Sequence, residues 1–235
     1  MRSHDLLLLH GQPGSADDWR QMRARLPDAI QAVAFDRPGY GSSPRPATDF
    51  AGNARAALAE LDARGIGQAV LVGHSYGGGV ALTTASLAPQ RVEALVLLAS
   101  VGPGCLNVLD RLLAAPGAGA ACARITLGLA PRFRSSRHAV WRTFLVEQRA
   151  LVREADTLEA VLPGIKVPVL LLADPRDAVV PVDTARRLEQ ALPDASLRLI
   201  HGPGHDLPRR APGRVANAIA GFLALLDADH SPEPG

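Results

Sequence analysis

The chain of 235 residues is poor in cysteine, with only Cys105 and Cys122, and it has a single lysine, Lys166. Two thiols exclude a small disulfide-stapled secreted scaffold. No Cys/His cluster stands at zinc-ligand spacing, so no metal site is expected. No apolar run approaches the ~20 residues that a membrane span needs. Ahead of His10 and Gly11 stand only four leucines, too short a run for a signal-peptide core. The expectation is a cytoplasmic protein with reduced thiols. Excess charge is lacking too: the formal net charge is +2, which points to neither nucleic acid nor an anionic membrane as a partner. The basic residues are almost all arginine, and alanine is abundant. Together these read as GC-rich coding bias rather than as an anion-binding surface.

What is present suits a globular domain. Hydrophobic residues make up 47% and charged residues 20%. The length fits one domain, or one large domain with an insertion, and a core that needs no covalent staples. Short apolar runs at 6–9, 32–35, 69–72, 94–99, 167–173 and 197–200 have the near-continuous apolarity of strands buried on both faces. Amphipathic stretches lie between them. Ser15 followed by Asp17 and Asp18 predicts a helix running toward Leu26. Residues 49–64 carry a helical pattern stopped by Gly65, and 183–192 and 214–226 are further helices. Strand–helix alternation predicts an α/β fold: a mostly parallel, doubly wound sheet with helices on both faces. Residues 101–165 break the rhythm with helical pieces interrupted by proline and glycine. They read as a helical insertion over one end of the sheet, with two ordinary crossover helices as the alternative. The tail from His230 is expected to fray.

The strongest chemical signal is Gly73-His74-Ser75-Tyr76-Gly77. The pattern G-x-S-x-G is weak alone, but here it joins an apolar strand to a helix. That turn strains the serine backbone, lifts the hydroxyl above the sheet and aims a helix N-terminus at it. A serine hydroxyl needs a base. Among seven histidines, His205 fits best, because it lies in the loop after the last strand, at the sheet edge where Ser75 emerges. His201 sits nearer the strand end and fits less well. The base in turn needs a carboxylate. Asp174 and Asp177 both follow the strand at 167–173; Asp177 lies far enough into its loop to turn back toward His205. Asp174 would stabilise the turn before Pro175, pair with Arg176 or serve as the acid instead. The developing oxyanion needs N–H donors. The Tyr76 amide is one candidate. The other is the Gln12 amide in His10-Gly11-Gln12-Pro13-Gly14, since Pro13 has no N–H to give.

These segments, with Asp36-Arg37-Pro38-Gly39-Tyr40-Gly41-Ser42-Ser43, resemble the α/β-hydrolase superfamily over residues 5–100 and 166–226. The resemblance implies a nucleophile at Ser75, an acid at Asp177, a base at His205 and an oxyanion hole at Gln12 and Tyr76. It also implies a cap at 101–165, inserted between core segments 1–100 and 166–235. Many relatives carry glycine where Asp174 stands. The chain begins almost at the family's third strand, so a sheet of about six strands without the N-terminal hairpin is expected. Its edge would suit a monomer or a homodimer. Dehalogenases and epoxide hydrolases of the superfamily carry aspartate at the elbow; Ser75 would form an acyl-enzyme instead. The Asp36–Ser43 loop shapes the backbone beside the site and is assigned no chemistry.

The expected function is a cofactor-independent serine hydrolase acting on a small-molecule substrate: a small or medium apolar carboxylic ester, thioester or lactone. C–C bond hydrolysis or perhydrolysis on the same triad is the alternative, and a non-catalytic ligand-binding shell the rival from another class. Weaker signals are an arginine group in the insertion (Arg132, Arg134, Arg137 and Arg142, with His138), read as a solvated face, and a set of leucines and aromatics there, read mainly as core. Cys105 and Cys122 read as packing residues.

Overall fold

The computed structural model describes residues 3–117, 121 and 137–229 (the side chains of 137–139 and 229 excepted). Six strands form one parallel sheet: β1 (His4–Leu9), β2 (Ile30–Ala34), β3 (Ala69–His74), β4 (Val92–Leu98), β5 (Val169–Ala173) and β6 (Ala195–Leu199), in the order β2-β1-β3-β4-β5-β6. Successive side chains of a strand point to opposite faces. Leu7, Leu9 and Leu71 therefore enter one core, and Leu6, Leu8, Val70 and Val72 enter the other. This is why the central strands read as unbroken apolar runs.

Helices cover both faces. Against the first core pack α2 (Phe50–Ala63) and α3 (Tyr76–Leu87), together with the helix α6 (Val182–Ala191) that joins β5 to β6. Against the second lie α1 (Arg20–Arg23), the single turn α7 (Leu207–Arg210) and the long α8 (Pro212–Asp229). The stretch after Ser15 is shorter than its pattern suggests. It forms a 3-10 turn at Ala16–Trp19 followed by one helical turn, α1, instead of a helix reaching Leu26. Burial of Trp19 and Met22 against the second core sets its course more than helix propensity does. By contrast, α2 follows its sequence cues. Asp49 accepts a hydrogen bond from the Gly52 amide at 2.8 Å as N-cap, and Gly65 ends the helix at φ +68°.

Between β4 and β5 come α4 (Val108–Ala114), α5 (Arg137–Glu154) and two 3-10 turns at Thr157–Ala160 and Leu162–Gly164. Helices α4 and α5 pack on each other, with Leu113, Trp141, Phe144 and Leu145 as a small cluster. No helix among the described residues is long and apolar enough to cross a membrane.

The sheet order positions the site. The chain leaves β1 for β2 on one side and returns to β3 on the other, so the strand order reverses between β1 and β3. In an open parallel sheet that switch point leaves a crevice at the carboxyl ends of the strands. The loop after β1 and the turn after β3 meet there. The meeting is close enough to demand glycine: a Cβ on Gly77 would run into the Leu9 carbonyl oxygen and lie 2.7 Å from that of His10. Gly77→Ala is therefore expected to destabilise the fold by about 2 kcal/mol or more through overpacking against rigid backbone. For a domain of this size that lowers Tm by roughly 4–8 °C. A melting curve superimposed on wild type would show that the approach is not tight.

Candidate active site

Ser75 sits between β3 and α3 at φ 54° and ψ −120°, a left-handed conformation that costs a non-glycine residue about 1–3 kcal/mol. It is held by backbone bonds. The Ser75 amide donates to Leu98 O at 2.9 Å, and the amides of Gly78 and Val101 donate to Ser75 O at 2.9 and 3.2 Å. Ala99, at the end of β4, is also left-handed at φ 43°; nothing in the sequence marks it.

The structure brings the three predicted groups together. The Ser75 hydroxyl lies 3.0 Å from His205 Nε2, and His205 Nδ1 lies 2.8 Å from Asp177 Oδ2. A carboxylate only accepts, so Nδ1 carries the proton and Nε2 is left to accept from the serine. The other Asp177 oxygen accepts from the amides of Val179 and Val180 at 2.8 and 3.0 Å. The carboxylate is thus fixed before it meets the imidazole.

Asp174 has a different task. Its carboxylate accepts from the amides of Arg176 at 2.9 Å, Gly202 at 2.8 Å and Gly204 at 2.7 Å. It stitches the loop after β5 to the loop after β6, which carries His205. Burial opposes its charge, but the three amides outweigh that and hold its carboxyl below the usual carboxylate range. His74 also acts on this loop, and its position inside the elbow motif gave no hint of it. Its Nε2 donates to the His205 carbonyl at 2.9 Å. Burial, aided by the nearby His205, lowers its pKa to about 3. His201 is exposed, and His4 lies at the start of β1, bonded to Glu93 and Asp227. Among the predicted bystanders, Arg142 is exposed. Arg132, Arg134, Cys122 and His230 lie outside the described residues, as do the side chains of Arg137 and His138. Burial pushes the Cys105 thiol up to about 11, which suits a packing role.

Of the two predicted oxyanion donors, Tyr76 is the first residue of α3, so its amide has no intrahelical acceptor. Gln12 follows Gly11, and a Cβ on Gly11 would stand 3.1 Å from Ser75 Cβ; the loop after β1 lies directly against the serine. A network that the sequence did not reveal holds that loop. Arg37 is fully buried, and all five of its N–H groups find acceptors. Nε donates to His10 O at 2.9 Å, and Nη2 donates to Gly11 O at 3.1 Å and Glu147 Oε2 at 3.2 Å. Nη1 donates to Asn53 Oδ1 at 2.9 Å and to Glu147 Oε1. Tyr40 and Asn53 donate to the same Glu147 carboxylate, at 2.8 and 3.2 Å. Burial pushes the Glu147 carboxyl up, and the Arg37 guanidinium, the Tyr40 hydroxyl and the Asn53 amide pull against that rise. His10 donates from Nδ1 to Gly11 O at 2.8 Å and accepts the Arg37 amide at Nε2 at 3.0 Å. Burial holds this ring neutral.

Ser75, His205, Gln12 and Pro13 open on a cavity of about 360 Å³. Helices α4 and α5 supply Leu109, Leu113, Phe144 and Leu151 to its lining, and Val179 and Val180 of the Asp177 loop complete an apolar surface. Among the described residues, no group of three or more His, Cys, Asp or Glu side chains is arranged to hold a metal ion.

With this geometry in hand, comparison with known proteins places the chain. The sequence model of the alpha/beta hydrolase family matches residues 6–218, and the chain belongs to that family. A 2-hydroxymuconate semialdehyde hydrolase of Pseudomonas putida is 29% identical, covering 96% of this chain and 89% of the relative. A haloalkane dehalogenase variant from Bradyrhizobium elkanii superimposes with a TM-score of 0.82 at 22% identity, over 98% of this chain and 92% of that one. An esterase from Thermogutta terrifontis does so with a TM-score of 0.78 at 23% identity, over 95% and 90%. These two likenesses speak to the fold alone.

Two outcomes follow from the buried titratable groups. Glu147→Met leaves a buried guanidinium without its counter-ion and is expected to cost about 3–5 kcal/mol in urea unfolding. The double variant Arg37→Met/Glu147→Met should recover part of that loss; additive losses would show the two residues uncoupled. For His74, the unfolded chain binds a proton near pH 6.5, whereas the folded ring does so only near 3. Stability is full above that upper value and falls as pH drops through the window, with a slope approaching about 1.4 kcal/mol per pH unit from this one group. His74→Gln should flatten the measured slope between pH 6 and 4 by that amount; an unchanged slope would contradict the assignment.

Proposed function

We propose that this chain is a serine hydrolase that cleaves a small or medium apolar carboxylic ester through an acyl-enzyme on Ser75. The observation that carries the proposal is the continuous Ser75–His205–Asp177 hydrogen-bond chain, at 3.0 and 2.8 Å, opening on a largely apolar cavity. His205 Nε2 takes the hydroxyl proton as Ser75 Oγ attacks the carbonyl carbon, and Asp177 stabilises the imidazolium that forms. The amides of Gln12 and Tyr76 receive the oxyanion. The imidazolium then protonates the departing alcohol. Water, deprotonated by His205, attacks the acyl-enzyme and releases the acid. Residues 101–165 act as the cap that shapes the acyl pocket. A thioester or lactone would follow the same course.

The likeness to a 2-hydroxymuconate semialdehyde hydrolase favours a second reading, hydrolysis of a C–C bond beside a carbonyl on the same triad. Serine at the elbow, where an alkyl-enzyme mechanism needs a carboxylate, separates this chain from dehalogenation despite the shared fold.

A panel of p-nitrophenyl esters of short acids tests the proposal. Ser75→Ala and His205→Ala should each lower kcat by about 10⁴-fold or more, and Asp177→Asn by a comparable factor. A fluorophosphonate probe should label the wild type at Ser75. Equal rates in wild type and Ser75→Ala would sink the proposal, as would failure of the folded protein to take the label.

A further inference from the structure

The cavity beside Ser75 is crossed by one polar string. The Gln148 side-chain amide donates from Nε2 to Asp110 Oδ1 at 3.2 Å and to Asp110 O at 3.3 Å. Gln12 donates from Nε2 to Gln148 Oε1 at 2.7 Å. All three residues line the cavity. Because a carboxylate accepts and never donates, Asp110 fixes which way Gln148 points, and Gln148 in turn fixes Gln12. The Gln148 NH₂ is taken up by Asp110, and the Gln12 NH₂ gives one of its two N–H groups to Gln148. The string also leaves acceptors over. Gln12 Oε1 is buried without a hydrogen-bond partner. The Asp110 oxygens accept one bond each from Gln148 and from the Asn107 amide at 2.9 Å, which leaves lone pairs spare. Among the described residues, no arginine or lysine forms an ion pair with Asp110.

An apolar chamber with the Asp110 carboxylate and a buried amide oxygen that has no hydrogen-bond partner in its wall is complementary to a donor and repels an anion. We propose that the substrate's acyl chain carries a hydrogen-bond donor, a primary ammonium in preference to a hydroxyl, and that Asp110 with the Gln148–Gln12 pair selects it. This rests on the ester-hydrolase reading and adds the substrate class to it. The apolar lining takes the methylenes next to the carbonyl, and the distal donor reaches the string. A chain ending in a carboxylate would meet Asp110 with like charge.

Four p-nitrophenyl esters of matched length test this: hexanoate, 6-hydroxyhexanoate, 6-aminohexanoate and the monoester of adipic acid. The order of kcat/KM, each corrected for its uncatalysed rate, should run amino, hydroxy, carboxy, with amino over carboxy by about tenfold or more. Asp110→Asn should cut that ratio at least about fivefold. A flat order, a preference for the carboxy chain, or a ratio unmoved by Asp110→Asn would overturn the proposal. Calorimetric titration of Ser75→Ala with hexylamine, hexan-1-ol and hexanoate measures the same preference without turnover. If none of the esters is hydrolysed, the esterase reading fails, and the titration alone decides the proposal. Tightest binding of hexylamine supports it; equal or undetectable binding of all three rejects it.

Discussion

A guanidinium in a protein interior must satisfy five N–H groups and one charge at once, and the rest of this site is arranged around the one that does so. Arg37 spends its donors on the carbonyls of His10 and Gly11, the Asn53 side chain of α2 and the Glu147 carboxylate of α5. Taking two such charges out of water costs several kcal/mol each, so the pair contributes little net stability. What it fixes is geometry. The loop after β1 cannot shift without breaking its bonds to a fully buried guanidinium, and that loop carries Gln12 to the cavity beside Ser75. The rings of Tyr76 and Tyr40, with centroids 4.9 and 5.2 Å from the guanidinium carbon, close the remaining space.

The His205 imidazole is positioned by the same logic on the other side of the serine. His205 belongs to a loop with glycines at φ +107° (Gly202) and +63° (Gly204), which left alone would be free to wander. Asp174 binds the amides of both glycines, and His74 binds the carbonyl of His205 itself. Three buried polar groups, Arg37, Asp174 and His74, thus set the loops on which the hydrogen-bond partners and neighbours of Ser75 ride. They support a serine that is itself strained, so the site is assembled from parts that would not hold their places in isolation.

The strands and the elbow were legible because their physics is local. A strand buried on both faces must be apolar throughout, and a left-handed serine at a sharp turn needs glycine beside it. The partners of the serine were legible too, since loops leaving one edge of a parallel sheet must converge. Other features depend on distance along the chain. Asp174 and Asp177 stand three residues apart, and only the folded loop shows which one turns to the imidazole and which to the backbone. Arg37 looks like any of the many arginines, and its counter-ion comes 110 residues later. Strand β1 starts at His4, ahead of its leucines, where it pairs with Ile30 of β2, and the His4 ring bonds Glu93 and Asp227, partners spread over most of the sequence.

Helix α5 shows how these constraints reach the pocket. Thr143, Glu147 and Glu154 lie along one stripe and bond the core: Thr143 donates to Gly39 O at 2.8 Å, and Glu154 accepts the Phe50 amide at 3.2 Å. Phe144, Gln148 and Leu151, at helical spacing of four and three, form the adjacent stripe and face the cavity. The helix therefore cannot swing away from the serine as a free lid. Lifting it would strand the Arg37 charge in the interior, at a cost comparable to a large part of the stability of a single domain. The wall that shapes the pocket and the loop that carries Gln12 are fastened to the same guanidinium, so pocket shape and the position of that loop are set together.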